Sequence, residues 1–116
     1  PSYQENANAP ILTKALMEWF IQHYVGGTSF THDPLAAPIR AEDLSNLPPC
    51  YIATAEFDPL RDEGMAYADL LREAGVQVEA KCFEGLIHAF SGLGAEIDVA
   101  SKARDEIFQA LKKALS

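Results

Sequence analysis

Residues 50–64 read "CYIATAEFDPLRDEG", an apolar run that passes through an acid and a proline into a polar, helix-forming segment. The run at 50–55 lacks alternation between apolar and polar residues, which is typical of a strand buried on both faces of a parallel sheet. Pro59 then restricts the backbone directly after Asp58, before the next helix begins. Because α/β enzymes place reactive side chains in tight loops at strand ends, Asp58 is a candidate functional residue.

The sequence from residue 50 onward predicts the order β-α-β-α and hence an α/β fold class. Residues 62–74, "DEGMAYADLLREA", have helical spacing, and Gly75 is a natural stop. Residues 76–83, "VQVEAKCF", alternate as in a strand, whereas 84–96 read as a glycine-rich loop before a last helix over 98–115. A strand–helix–strand unit of this kind is parallel and right-handed, so the loops that follow its strands lie at one edge of the sheet.

The first part of the chain predicts one helix and one long loop. Residues 1–10 are polar and irregular, and residues 11–24, "ILTKALMEWFIQHY", predict a helix that Thr13 caps and Gly26 ends. Residues 25–48 contain several prolines and glycines without a sustained period, which predicts a long loop. The predicted helix places its apolar residues on one face, namely Leu12, Leu16, Trp19, Phe20 and Tyr24.

Composition limits the classes of partner. The 116 residues suffice for one small domain, and the formal net charge of -8 argues against nucleic acid and against an anionic membrane surface. No apolar stretch has the length of a membrane span, and residues 1–10 lack the features of a signal peptide. Cys50 and Cys82 lie in strand-like runs and are interpreted as buried, reduced thiols, for which a cytoplasmic location is the simplest expectation.

His88, in "FEGLIHAFSG" at 83–92, follows the second predicted strand. Histidine titrates near neutrality, so it can accept and return a proton if a carboxylate fixes its tautomer. Parallel strands lie about 4.8 Å apart, so loops after neighbouring strands can bring Asp58 and His88 into contact. The alternative is that Asp58 caps a turn and that His88 is an ordinary polar surface residue. The three histidines, His23, His32 and His88, show no chelating spacing, so no metal or other cofactor is expected.

The stretch "AEFDPLRDEGMAYADLLREAGVQVEAKCFEGLIHAFSG", at 55–92, resembles the C-terminal segment of the hormone-sensitive-lipase-like α/β-hydrolase esterases. That family carries its catalytic acid in D-P-L-x-D-E-G and its catalytic histidine in G-x-x-H-x-F. The resemblance implies that Asp58 is the acid and His88 the base of a carboxylesterase or lipase acting on a small ester. Asp62 also matches a family position, but a first-turn carboxylate at a helix start is the simpler interpretation.

The upstream stretches "ENANAPILTKALMEWF" and "DPLAAPI" resemble the family segment in which a helix helps to cover the substrate pocket. The resemblance therefore divides the chain into a cap-associated helix with its connecting loop at 1–48 and a C-terminal β-α-β-α part of the hydrolase domain at 49–116. Trp19, Phe20 and Phe90 are candidates for the border of an acyl or alcohol pocket. Ordinary packing is the alternative for each of them.

A nucleophile is missing from the sequence. No serine lies in a G-x-S-x-G motif, and no H-G-G-G stretch could supply oxyanion-hole amides. We therefore expect a C-terminal portion of an esterase whose other part carries the serine, and we expect the chain alone to be inactive. A two-stranded sheet would expose its edges to water, so we expect the isolated chain to be unstable, aggregated or oligomeric, for example as a homo-oligomer. Two alternatives remain open: a non-catalytic module that binds a ligand or a partner, and a related lactonase or amidase.

Overall fold

The computed structural model describes residues 1–26 and 33–116. Residues 27–32, which belong to the predicted 25–48 loop, lie outside the described residues. Two strands and four α-helices follow one another along the described chain, with single 3₁₀ turns at Pro38–Arg40 and Phe90–Leu93. Their bounds are α1 Ser2–Glu5, α2 Lys14–Val25, β1 Cys50–Phe57, α3 Arg61–Glu73, β2 Val78–Ile87 and α4 Asp98–Ala114. The predicted order β-α-β-α after residue 49 is confirmed.

Strands β1 and β2 form a parallel sheet, which positions the ends of both strands at the same edge. The register runs from Cys50 opposite Val78 to Ala55 opposite Phe83, and it then shifts so that Phe57 lies opposite Ile87. Strand β2 thus contains two extra residues near its end, which form a bulge. The α/β class and the parallel crossover unit agree with the sequence prediction.

The two faces of β1 pack against different helices, as expected for a strand buried on both sides. Ala55 belongs to the main core cluster, together with Phe83 of β2 and Ala100 and Ala103 of α4. Thr54 points the opposite way, because side chains alternate along a strand. A Cβ atom added to Gly64 of α3 would lie only 2.8 Å from the Thr54 Cγ2 atom, so α3 packs closely on that face.

Helix α2 begins three residues later than predicted. Thr13 caps it as expected, since its Oγ1 accepts a hydrogen bond from the Leu16 N–H at 3.1 Å, and Gly26 ends it with a left-handed φ of 64°. Ile11 has a φ of 69°, which is incompatible with a helix starting there. Leu12, predicted on the helix face, precedes the helix and is buried. No residue of α2 is buried, so its apolar face is open in the described chain.

Three further predictions differ from the structure. Strand β2 continues to Ile87, although 84–87 were expected to be loop, because the bulge absorbs Gly85 without ending the strand. Residues Ser2–Glu5 form a helical turn where an irregular segment was expected, since Ser2 bonds to a residue far along the chain. Cys50 and Cys82 are free thiols, but they are half-buried rather than buried, because they lie on a sheet of only two strands. Within the described residues, no helix combines the length and hydropathy needed to cross a membrane.

Candidate active site

Asp58 and His88 occupy equivalent positions at the ends of the two strands. Asp58 directly follows Phe57, the last residue of β1, and His88 directly follows Ile87, the last residue of β2. Because Phe57 and Ile87 are paired in the register, the two following side chains meet, with His88 Nδ1 at 2.8 Å from Asp58 Oδ2. The structure therefore brings together two residues that lie 30 positions apart in the sequence.

The Asp58 carboxylate is held in one orientation. Its Oδ1 accepts a hydrogen bond from the Leu60 N–H at 2.9 Å, which leaves Oδ2 directed at His88. Only 8% of Asp58 is exposed, so water competes little for either oxygen. An ionised carboxylate only accepts hydrogen bonds, so we assign the imidazole proton to His88 Nδ1. Nε2 is then a free acceptor, and the ring that carries it is about one third exposed, at 33%.

The backbone of the acid loop is tied to the start of the chain. The Asn6 side-chain amide donates to the carbonyl oxygens of Glu56 at 3.2 Å and Asp58 at 3.3 Å. Arg61 Nη1 donates to the same Glu56 carbonyl at 2.9 Å. These bonds satisfy carbonyl groups that the short sheet leaves unpaired, and they fix the turn that presents the carboxylate.

Asp62 anchors the other end of this loop. It lies in the first turn of α3, as predicted, and its Oδ2 accepts the Ser2 N–H at 2.7 Å while its own N–H donates to Ser2 Oγ at 3.2 Å. Its Oδ1 accepts from Arg61 Nε at 2.9 Å. The Ser2 N–H and then the Arg61 guanidinium hold the pKa of Asp62 below its ordinary value. Asp62 therefore stabilises the loop in its ionised form.

The backbone on either side of His88 has two left-handed residues. Gly85, three residues before His88, has a φ of 71°, and its N–H donates to the Glu56 carboxylate at 2.7 Å. Ala89, directly after His88, has a φ of 60°. This conformation costs a residue with a Cβ atom roughly 1–2 kcal/mol. The chain then enters the turn Phe90–Leu93, so the imidazole lies between two constrained backbone positions.

The aromatic residues predicted at a substrate pocket lie in different surroundings. Phe20 lines a cavity of about 630 Å³ between α2, the Pro38–Arg40 turn and α3. Trp19 packs edge-on against Phe20 with ring centres 5.3 Å apart, and it is half-exposed. Phe90 belongs to the buried core instead, with its ring centre 5.2 Å from that of Phe83. The packing interpretation thus describes Phe90, because the turn after His88 directs its ring under the sheet.

Glu63 lies in the first turn of α3, and its side chain is exposed although part of it is shielded from water. It lines the same cavity as Phe20, and burial, followed by the charge of Asp58, raises its pKa above the ordinary value. Burial and the nearby Glu63 carboxyl also raise the pKa of Tyr3. The sequence alone did not indicate this pKa shift, because Glu63 lines a cavity whose other walls come from residues 3–25 and 36–40. In residues 1–26 and 33–116 no cluster of three or more His, Cys, Asp or Glu side chains is suited to hold a metal.

Comparison with known proteins defines the class. A family profile described as alpha/beta hydrolase fold matches residues 1–92, and the chain belongs to this family. Within that fold, the resemblance to the hormone-sensitive-lipase-like esterases is confirmed, because its curated relatives are esterases and ester hydrolases.

Three relatives illustrate the similarity. The esterase LipI of Mycobacterium tuberculosis is 43% identical over 117 residues, which cover 99% of this chain and 36% of LipI. The ethyl acetate hydrolase of Pseudomonas putida is 34% identical, over 99% of this chain and 36% of its own length. The solved hyperthermophilic esterase of the archaeon Pyrobaculum calidifontis superposes with a TM-score of 0.90 at 40% identity, over 97% of this chain and 36% of that one. The chain therefore spans about a third of the length of these relatives.

Proposed function

We propose that this chain supplies the acid and the general base of a serine-type carboxylic ester hydrolase. The observation that carries the proposal is the 2.8 Å contact between His88 Nδ1 and the oriented, buried Asp58 carboxylate. The esterase activity named for relatives at 34–43% identity supports the same reaction class. Since the sequence contains no G-x-S-x-G motif, the serine and the oxyanion-hole donors belong to a segment outside this sequence.

In the proposed mechanism each group has a defined step. His88 Nε2 removes the proton from the serine hydroxyl as its oxygen attacks the ester carbonyl carbon, and the imidazolium is stabilised by Asp58 at Nδ1. The imidazolium then returns the proton to the leaving alcohol as the carbon–oxygen bond of the ester breaks. In the second half of the reaction, His88 takes a proton from water as the water oxygen attacks the acyl carbon. His88 then returns that proton to the serine oxygen as the acyl–serine bond breaks, which releases the carboxylic acid and restores the serine.

The substrate we propose is an ester with small acyl and alcohol groups. The named substrate of the Pseudomonas putida relative, ethyl acetate, is of this kind. The cavity beside Phe20 has a mostly apolar lining, with Met17, Ile21 and Val25 of α2 along one wall and Glu63 of α3 on another, and neither Asp58 nor His88 lines it. Its apolar wall suits the alkyl group of an ester. Trp19 would border the entrance to this cavity.

A chimeric enzyme tests the proposal. The serine-bearing part of the Pyrobaculum calidifontis esterase is joined to this chain, which replaces the segment it matches at a TM-score of 0.90. We expect the chimera to hydrolyse p-nitrophenyl acetate, whereas the chain alone and the truncated parent do not. His88→Ala should abolish turnover while leaving the thermal melt unchanged.

His23→Ala is the matched control, because His23 is an exposed histidine on α2 that bonds to the Trp19 carbonyl and stacks on the Trp19 ring at 4.1 Å, with no contact to Asp58 or His88 among the described residues. It should leave kcat unchanged, and any effect should be on KM. Turnover that survives His88→Ala would contradict the assignment of the base. A folded chimera without turnover would favour the alternative of a binding module derived from the hydrolase fold.

A further inference from the structure

The bulge in β2 lies between two paired positions of the sheet, and the second of these pairs directly precedes Asp58 and His88. Ala55 pairs with Phe83 and Phe57 pairs with Ile87, so Glu56 alone faces residues 84–86. A bulge of this kind leaves backbone groups without ladder partners and changes the direction of the strand that follows. The direction in which β2 leaves the bulge determines where His88 begins.

The carboxylate of Glu56 supplies the missing partner. Its Oε2 accepts the Gly85 N–H at 2.7 Å, and a charged acceptor makes this bond stronger than a neutral backbone pair. Gly85 has a φ of 71°, and a Cβ atom built there would meet nothing within 4 Å. Glycine is therefore needed for the dihedral angle and not for space, so the bulge conformation itself is the constrained feature.

The backbone of Glu56 is fixed from the opposite side. Its carbonyl oxygen accepts bonds from Asn6 at 3.2 Å and from Arg61 at 2.9 Å, the same groups that hold the acid loop. Glu56 is thus attached through its carbonyl to the loop that presents Asp58, two residues later. Through its carboxylate it is attached to the bulge that leads to His88, three residues after Gly85.

We propose that Glu56 is a positioning residue that sets the approach of the His88 imidazole to the Asp58 carboxylate by fixing the β2 bulge. This role rests on the proposed ester hydrolase function. It is separate from that of the acid–base pair, since the Glu56 carboxylate bonds to the Gly85 N–H and not to His88. The Glu56–Gly85 hydrogen bond also explains why β2, the strand that leads to His88, stays paired with β1 beyond Gly85.

Kinetics in the serine-bearing chimera test the consequence for catalysis. Glu56→Ala should lower kcat on the order of tenfold to a hundredfold with KM nearly unchanged, because displacement of a catalytic group by about 1 Å has costs of this size. Glu56→Gln should restore kcat to within about threefold, since its side-chain oxygen can still accept the Gly85 N–H. Glu84→Ala is the matched control: it removes an exposed carboxylate from the same bulge and should have no effect.

A second measurement does not depend on activity. In the serine-bearing chimera labelled with ¹⁵N-histidine, with His88→Ala to assign the His88 signals, long-range ¹H–¹⁵N spectra report which ring nitrogen of His88 carries the proton. The chimera with the native chain and the chimera with Glu56→Gln should show the proton fixed on Nδ1, whereas Glu56→Ala should show a mixture of tautomers. If all chimeras are inactive and only Glu56→Ala changes the tautomer, the positioning role stands and the esterase proposal fails.

Several outcomes would overturn the positioning role. Equal kcat and equal tautomer for Glu56→Ala and Glu84→Ala would do so, as would a native spectrum without a fixed Nδ1 proton. If Glu56→Ala does not fold, Glu56→Asp replaces it, because it retains the charge but is one methylene too short for the 2.7 Å bond. Unfolding of both variants would also contradict the proposal, since Glu56 would then stabilise the whole domain rather than aim one side chain.

Discussion

Replacement of Asp58 by asparagine should inactivate the serine-bearing chimera with little change in structure. Asparagine has the same shape, and its carbonyl oxygen would stay on the Leu60 N–H, which lies 2.9 Å from Oδ1 in the native loop. The amide NH₂ would then face His88 Nδ1 across the 2.8 Å contact. Because NH₂ is a donor, Nδ1 would become the acceptor and the imidazole proton would move to Nε2, where it blocks uptake of the serine proton.

The equivalent change in a serine protease lowers kcat roughly 10⁴-fold, through the same change of tautomer. At 1.36 kcal/mol for each factor of ten, this is about 5 kcal/mol of lost transition-state stabilisation. We expect a loss of this size because the second Asp58 oxygen is committed to Leu60 and because the carboxylate is only 8% exposed. An asparagine at this position therefore has little freedom to rotate and present its oxygen to His88.

The assay is the steady-state kcat of the serine-bearing chimera on p-nitrophenyl acetate near neutral pH, with thermal melts to verify folding. Asp62→Asn is the matched control, since it removes a carboxylate from the same loop without contacting His88. Its kcat should stay within about threefold of the native value. A loss of less than about tenfold for a folded Asp58→Asn variant would refute the reasoning and leave Asp58 as a turn residue.

Three further predictions concern stability. Asp62→Asn should lower the melting temperature at neutral pH, and this deficit should shrink as the pH falls through the lowered pKa of Asp62, because the carboxylate stabilises the fold only when it is ionised. A deficit that does not change with pH would contradict this. Glu63→Gln should raise the melting temperature at pH 7 but not at pH 4, because the raised pKa reflects the cost of partly removing the charged carboxylate from water. An equal change in melting temperature at both pH values would contradict this. Gly64→Ala should destabilise the chain by about 1–3 kcal/mol, because the new methyl group would lie 2.8 Å from Thr54 Cγ2. Gly92→Ala is the control, because a methyl group there meets no atom within 4 Å. Equal urea midpoints for the two variants would show that α3 can shift to accommodate the methyl group.

The sequence predicted the elements that position the site because local signals there agree with the tertiary structure. Pro59 and Gly75 bracket α3, which spans Arg61–Glu73 where 62–74 was expected. The unbroken apolar run predicted β1, and the crossover rule then predicted that β2 would be its parallel neighbour. The contact between Asp58 and His88 follows from these two elements, since each residue directly follows a strand.

The features that the sequence did not reveal all depend on long-range contacts. Gly85 reads as a loop signal, yet β2 continues through it because the Glu56 carboxylate, 29 residues away, takes its N–H. Ser2 reads as part of an irregular terminus, yet it forms a helical turn because Asp62 lies 60 residues further along. No local pattern encodes either pair. The exposure of the apolar face of α2 was not predicted for a related reason, since periodicity predicts that one face is apolar but not which residues cover it.

A single-base change in the codon of Ala89 would alter the backbone next to His88. Its codon differs from a glycine codon by a single base, and glycine would adopt the φ of 60° without penalty. The same exchange would loosen the backbone on the C-terminal side of His88. Glycine would therefore relieve the local cost of the left-handed conformation and at the same time widen the range of orientations open to the neighbouring imidazole.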